Sequence, residues 1–206
     1  MVDTGRALLS LVWKGGAARL IARPLIPVVQ GTIKIRDDGR KKLEVRGRYR
    51  GASVRVTLGL VWGGAWVELR PDPPIDTSFS FSLSHDDDGR KAYEKKNADL
   101  DEWDKTSGND KKLFIAEQAY FSEPDQRRCF NQLPDELQKA IVTVVEQDRY
   151  GKCRVHRDSV KVSVASRIHW RRNPAKLILS RLDLGADLID EARRLTKTAV
   201  SSPADG

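Results

Sequence analysis

Residues 31–69, GTIKIRDDGRKKLEVRGRYRGASVRVTLGLVWGGAWVEL, decide the fold class. Ile33 and Ile35 alternate with Lys34 and Arg36. Leu43, Val45, Gly47 and Tyr49 then alternate with Lys42, Glu44, Arg46, Arg48 and Arg50. Successive side chains of a strand point to opposite faces, so this period of two marks strands buried on one side. Val54, Val56, Leu58 and Leu60 continue the pattern against Arg55 and Thr57, and Ala65, Val67 and Leu69 close it. Asp37-Asp38-Gly39, Gly51 and Gly63-Gly64 supply turn chemistry between the runs. The stretch predicts an antiparallel meander of about four strands with one apolar face.

Residues 1–30 read as an N-terminal helical segment of one or two short helices, broken at Gly15-Gly16 and ended by Pro24 and Pro27. Pro71, Pro73 and Pro74 end the meander, and Ser78 to Leu83 alternates again as a fifth strand. Leu113 to Phe121 regains strand character, and Pro124 to Phe130 predicts a short helix. A better helix opens at Pro134, with Leu137, Ala140, Ile141, Val144 and Val145 at helical spacing. Cys153 and Val155, followed by Val160, Val162 and Val164, predict a later hairpin. Asn173-Pro174 places a capping residue before a proline and opens a final helix to about Lys197. The expectation is therefore an α+β fold: a predominantly antiparallel β-sheet, with two or three helices packed on one face. It forms a single domain over residues 31–200, followed by a frayed tail at 201–206.

Charge is segregated along the chain. Residues 31–55 carry nine basic and three acidic groups, residues 72–148 ten and eighteen, and residues 149–181 ten and one. Asymmetry of this kind speaks to partners and association. If the apolar side of the meander faces the core, its outer side presents Lys34, Arg36, Arg46, Arg48, Arg50 and Arg55, with Lys42 beside them. Like charges directly opposite on neighbouring strands are destabilising. Such a face implies an acidic partner, which could be the chain's own acidic middle segment. A second basic cluster, Arg167, His169, Arg171 and Arg172 around Trp170, precedes the last helix and suits phosphate contact with stacking. Residues 6–23 mix leucines with arginine and lysine, as a segment lying on a membrane surface would.

Enzymatic signatures are absent: there is no GxSxG, GxxxxGK[ST], HExxH or CxxC, and no GxGxxG following a strand. Cys129 and His156 could in principle meet across a helix and a strand as a thiol and its base, though nothing local supports it. Ser84 to Gly89 has two aspartates at calcium-loop spacing, but Lys95 stands where a bidentate glutamate is needed. No cofactor or metal is predicted. Two cysteines give no disulfide framework and suit a reducing, cytoplasmic setting. The leading expectation is a non-catalytic interaction module engaging an acidic protein partner through basic surface. The alternatives are nucleic-acid binding through the meander face and the Arg167–Arg172 cluster, and peripheral membrane attachment through the N-terminal segment. Oligomeric state is not legible.

Residues 84–112 are dense in charge and poor in aliphatics. Such a composition buries too little apolar surface to offset its ordering entropy, which predicts a charged, mobile excursion. Limited proteolysis is expected to cut first within 84–112. Protection equal to that of the strands would contradict this reading.

Overall fold

The computed structural model describes residues 16–37, 41–59, 64–75, 79–86, 113–165, 168 and 171–201. The first four strands are the predicted meander: β1 (Thr32–Asp37), β2 (Lys41–Tyr49), β3 (Ala52–Gly59) and β4 (Ala65–Arg70). Five more follow: β5 (Phe81–His85), β6 (Leu113–Phe114), β7 (Ala119–Phe121), β8 (Lys152–His156) and β9 (Ser159–Ala165). All pair antiparallel in one nine-stranded sheet of order β1-β2-β3-β4-β9-β8-β5-β7-β6. The chain leaves β4, skips two positions to lay down β5, and later fills the gap with the β8–β9 hairpin. The expected α+β class with a mainly antiparallel sheet holds.

The described helices occupy one side. After a helical stretch at 16–22, α1 (Leu25–Val28) lies beside β2, while α2 (Pro124–Phe130) and α3 (Asp135–Glu146) cover β5, β7 and β8. The long α4 (Pro174–Ser201) crosses β4 and β9. The side is fixed by which strand residues are buried. Val45, Val56, Val67, Val162, Cys153 and Phe121 are buried to within 1% exposure, whereas Arg48, Ser53, Arg70, Lys161 and Arg154 on the other phase are exposed. Phe81 meets Phe79, Phe121 and Phe130 edge-on at 6.1, 6.4 and 5.5 Å between centroids, which ties β5, β7 and α2 together.

Two glycines let the layers approach. A Cβ on Gly185 would sit 2.5 Å from Leu69 Cδ1, so α4 runs close over β4 there. A Cβ on Gly47 would overlap the Val29 carbonyl oxygen, which accepts the Arg48 N–H at 2.7 Å. The link from α1 into β1 is thus laid directly across β2.

Several expectations shift in detail. Pro27 lies inside α1 rather than ending it, at a first-turn position whose N–H has no intrahelical partner to lose. Gly16 is helical, while Gly15 lies outside the described residues, and with it the expected break at Gly15-Gly16. The strand character expected from Leu113 to Phe121 takes the form of a hairpin of two short strands. The last helix starts where predicted, with Asn173 Oδ1 accepting the Lys176 N–H at 3.2 Å, and continues to Ser201. Of the stripe expected on α3, Ile141, Val144 and Val145 are buried, Leu137 is half-buried and Ala140 is exposed. The turns at 38–40 and 60–63, the greater part of the 84–112 excursion and residues 202–206 of the tail lie outside the described residues.

Ile141 is fully buried, so Ile141→Ala is expected to cost about 2–5 kcal/mol, from lost transfer energy plus the cavity left behind. Denaturant titration at constant slope measures this, and a change under about 0.5 kcal/mol would contradict the packing of α3.

Candidate functional site: the open face of the sheet

With every described helix on one side, the other phase of each strand builds an open face. β1 contributes Lys34, and β2 contributes Lys42, Arg46 and Arg48 beside Glu44. Arg55 and Thr57, the latter buried at 2% exposure, come from β3, and Trp66, Glu68 and Arg70 from β4. β9 adds Lys161 and Ser163, and β8 adds Lys152, Arg154 and His156. The registers align these into rows. Arg46 stands opposite Arg55, Arg55 opposite Glu68, Glu68 opposite Lys161, and Lys161 opposite Arg154. Four cations and one carboxylate therefore cross five strands. At about 4.8 Å per strand the row is roughly 19 Å wide.

The two carboxylates among the described residues of this face are already engaged. Glu44, buried at 4% exposure, takes the Arg46 guanidinium at 2.5 and 2.9 Å. Glu68 takes Arg70 at 2.9 Å and Arg55 at 3.8 Å. Lys34, Lys42, Arg48, Lys152, Arg154 and Lys161 add cations for which the described face holds no further carboxylate. Crowding is visible at Lys152: its ammonium is held below the usual lysine range by partial burial first, then by Arg154 and Lys161. Lys42 Nζ and Lys161 Nζ lie 5.7 and 5.4 Å from the Trp66 ring centroid, so the central aromatic is capped by charge.

The residues singled out in the sequence distribute unevenly. Lys34, Arg46, Arg48 and Arg55 share the open face, and Arg36 lies on β1 two residues beyond Lys34. Arg50 does not join them. It sits in the β2–β3 turn with φ of 46° and binds Asp187 at 2.6 Å and Asp190 at 2.8 Å on α4. Neighbouring Tyr49 donates to Asp183 of the same helix at 2.5 Å, which raises its phenol pKa. Alternation alone put Arg50 with Arg46 and Arg48, but the turn after Tyr49 breaks the phase. Neutralisation of the meander thus comes from Glu44, Glu68 and the last helix, not from the described part of the acidic 72–148 segment.

The second cluster also separates. Arg171 lies 3.5 Å from buried Asp148 at the α3–α4 side, and Arg172 is exposed nearby, while Arg167, His169 and Trp170 lie outside the described residues. The described part of the N-terminal segment is committed to the core through Ala18, Ile21, Ala22, Leu25 and Val29. What sequence reading missed is the joining of Lys152, Arg154 and Lys161 to the meander face. The alternation of β8 and β9 and the basic excess of 149–181 carried that signal, but not their place in the sheet.

Other chemistry finds little footing. Cys129 belongs to α2 on the helical side, whereas His156 projects from the open face, so the sheet stands between them. Among the described residues no three His, Cys, Asp or Glu side chains are grouped to hold a metal ion, and no helix is long and apolar enough to cross a membrane. No protein family, curated protein or solved structure matches this chain.

Burial pushes the Cys153 thiol up to about 12, while Cys129 is half-buried. The thiolate is the reactive form, so native protein at pH 8 is expected to take up iodoacetamide at Cys129 well before Cys153. Peptide mass mapping reads the order, and equal labelling of both would contradict the buried position on β8.

Proposed function

We propose that this protein is a non-catalytic binding module whose open sheet face engages an acidic protein partner. The observation that carries this reading is the continuous row from Arg46 to Arg154, in which cations stand directly opposite cations. Each such pairing costs stability, by an amount comparable to the roughly 0.2–1 kcal/mol that a favourable cross-strand pair gains. A surface that retains these costs is suited to a ligand that relieves them. Carboxylates spaced along an extended or helical partner would sit between Arg46 and Arg55, and between Lys161 and Arg154.

Charge capping of Trp66 favours a protein partner over a single-stranded nucleic acid. Base stacking needs a free aromatic face, and here two lysines already lie over the ring. The chemistry that remains is long-range attraction, which steers encounter and sets the association rate more than the residence time.

The test is a triple change of Arg48, Arg154 and Lys161 to Gln, titrated with poly-L-glutamate and with a random DNA single strand. The melting temperature is expected to hold or rise, because the Lys161–Arg154 opposition is removed. Affinity for polyglutamate is expected to fall at least tenfold at low salt, mainly through slower association, and wild-type affinity to fall as salt rises. Unchanged binding would overturn the reading. Tighter, steeply salt-dependent binding of the DNA strand would transfer the face to nucleic acid.

A further inference from the structure

Strand β1 ends the sheet, and among the described residues nothing pairs with its outer edge. Beside that edge, on the helical side, lies an open groove of about 700 Å3 lined by Gly16, Arg19, Leu20, Arg23, Ile26 and Ile33. Leu20 is 72% exposed, the most open large apolar side chain described, and Ile26 and Ile33 are only partly buried. Lys34 is exposed on the opposite phase of the same strand. The edge thus has three components: a row of backbone groups, an apolar trough rimmed by two arginines on one side, and a cation on the other.

The geometry points to β1 as the acceptor of an added strand, supplied by an extended partner segment that alternates acidic with apolar residues. The inference takes its acidic partner from the reading above and adds how that partner docks. An added strand continues the pleat of β1, so alternate side chains go to opposite faces. Apolar residues on one phase enter the groove over Leu20, Ile26 and Ile33. Acidic residues on the other phase meet Lys34 and the open face, and carboxylates at the segment's ends reach Arg19 and Arg23. Charge selects this occupant over a second copy of the chain. Two β1 edges paired together would bring Lys34 toward basic residues of its twin, the arrangement by which lysine on an edge deters self-pairing. Six residues of β1 span about 20 Å, enough to hold three residues of each phase.

The test uses an octapeptide alternating Glu and Val, a control of the same composition in two blocks, and poly-L-glutamate. The alternating peptide is expected to bind at least tenfold tighter than the block control and to slow amide exchange within residues 32–37. N-methylation of every second residue is expected to abolish binding in one phase and to be tolerated in the other. Leu20→Glu, at an exposed position, is expected to weaken the alternating peptide at least tenfold and leave polyglutamate binding unchanged. Equal binding of the two octapeptides, or no new protection in β1 while polyglutamate still binds, overturns strand addition and leaves the open-face reading standing. Protection of β1 by the alternating peptide without polyglutamate binding supports strand addition and removes the open face. A concentration-dependent dimer protected at 32–37 without peptide would assign the edge to a second copy and overturn the proposal.

Discussion

Everything distinctive about this molecule depends on the ladder between β4 and β9. Val67 pairs with Val162 and Leu69 with Val160, although the partners stand nearly a hundred residues apart in the chain. Without that seam the protein would hold two unrelated sheets, a meander of four strands and a group of five. With it, one apolar face runs unbroken beneath α4, which packs on both sides of the seam. The same hydrogen-bonded register brings Lys161 opposite Glu68 and so extends the basic rows of the meander onto β9 and β8. Core continuity and surface charge are consequences of a single pairing.

One-sided coverage explains how the sheet tolerates its charges. The apolar phase contributes fully buried valines, leucines and phenylalanines from the central strands, each worth about 1.5–3 kcal/mol when withdrawn from water. Like-charge oppositions on the other phase subtract a fraction of one such burial apiece. Solvent at the open face screens them further, so the fold can carry several without losing its margin. Buried Glu44 is matched locally by the Arg46 guanidinium, whereas Arg181, buried at 8% exposure in α4, donates to the neutral Gln147 at 2.7 Å and has no partner for its Nε among the described residues.

Strands and helices were legible because their periodicities are long and clean. Leu43 to Tyr49, Val160 to Val164 and the Ile141–Val145 stripe each repeat often enough to fix both element and facing. The basic meander face was legible for the same reason. The order of strands was not, because alternation states which side chains share a face but not which strand lies alongside. Arg154 and Lys161 therefore stayed a separate basic region until β9 was placed beside β4. Arg50 failed differently: one residue in a left-handed turn shifts the phase, and Asp187 and Asp190 that capture it lie in a distant helix whose docking no local pattern encodes. The groove beside β1 depends on how residues 16–26 sit against the sheet, which the apolar spacing of that segment leaves open.

The jump from β4 to β5 has a consequence for how the chain is made. Synthesis proceeds from the N-terminus, so β4 and β5 exist as neighbours in time long before they are joined in space. Until the β8–β9 hairpin emerges, each presents a bare edge flanked by Val67 and Leu69 on one strand and Phe81 and Leu83 on the other. Unpaired edges beside exposed apolar side chains are the surfaces on which nascent chains misassociate. The hairpin acts as a keystone, arriving late and closing two edges at once. A ribosome-bound fragment ending before residue 152 would hold nearly all of the aromatic core and still lack a finished sheet.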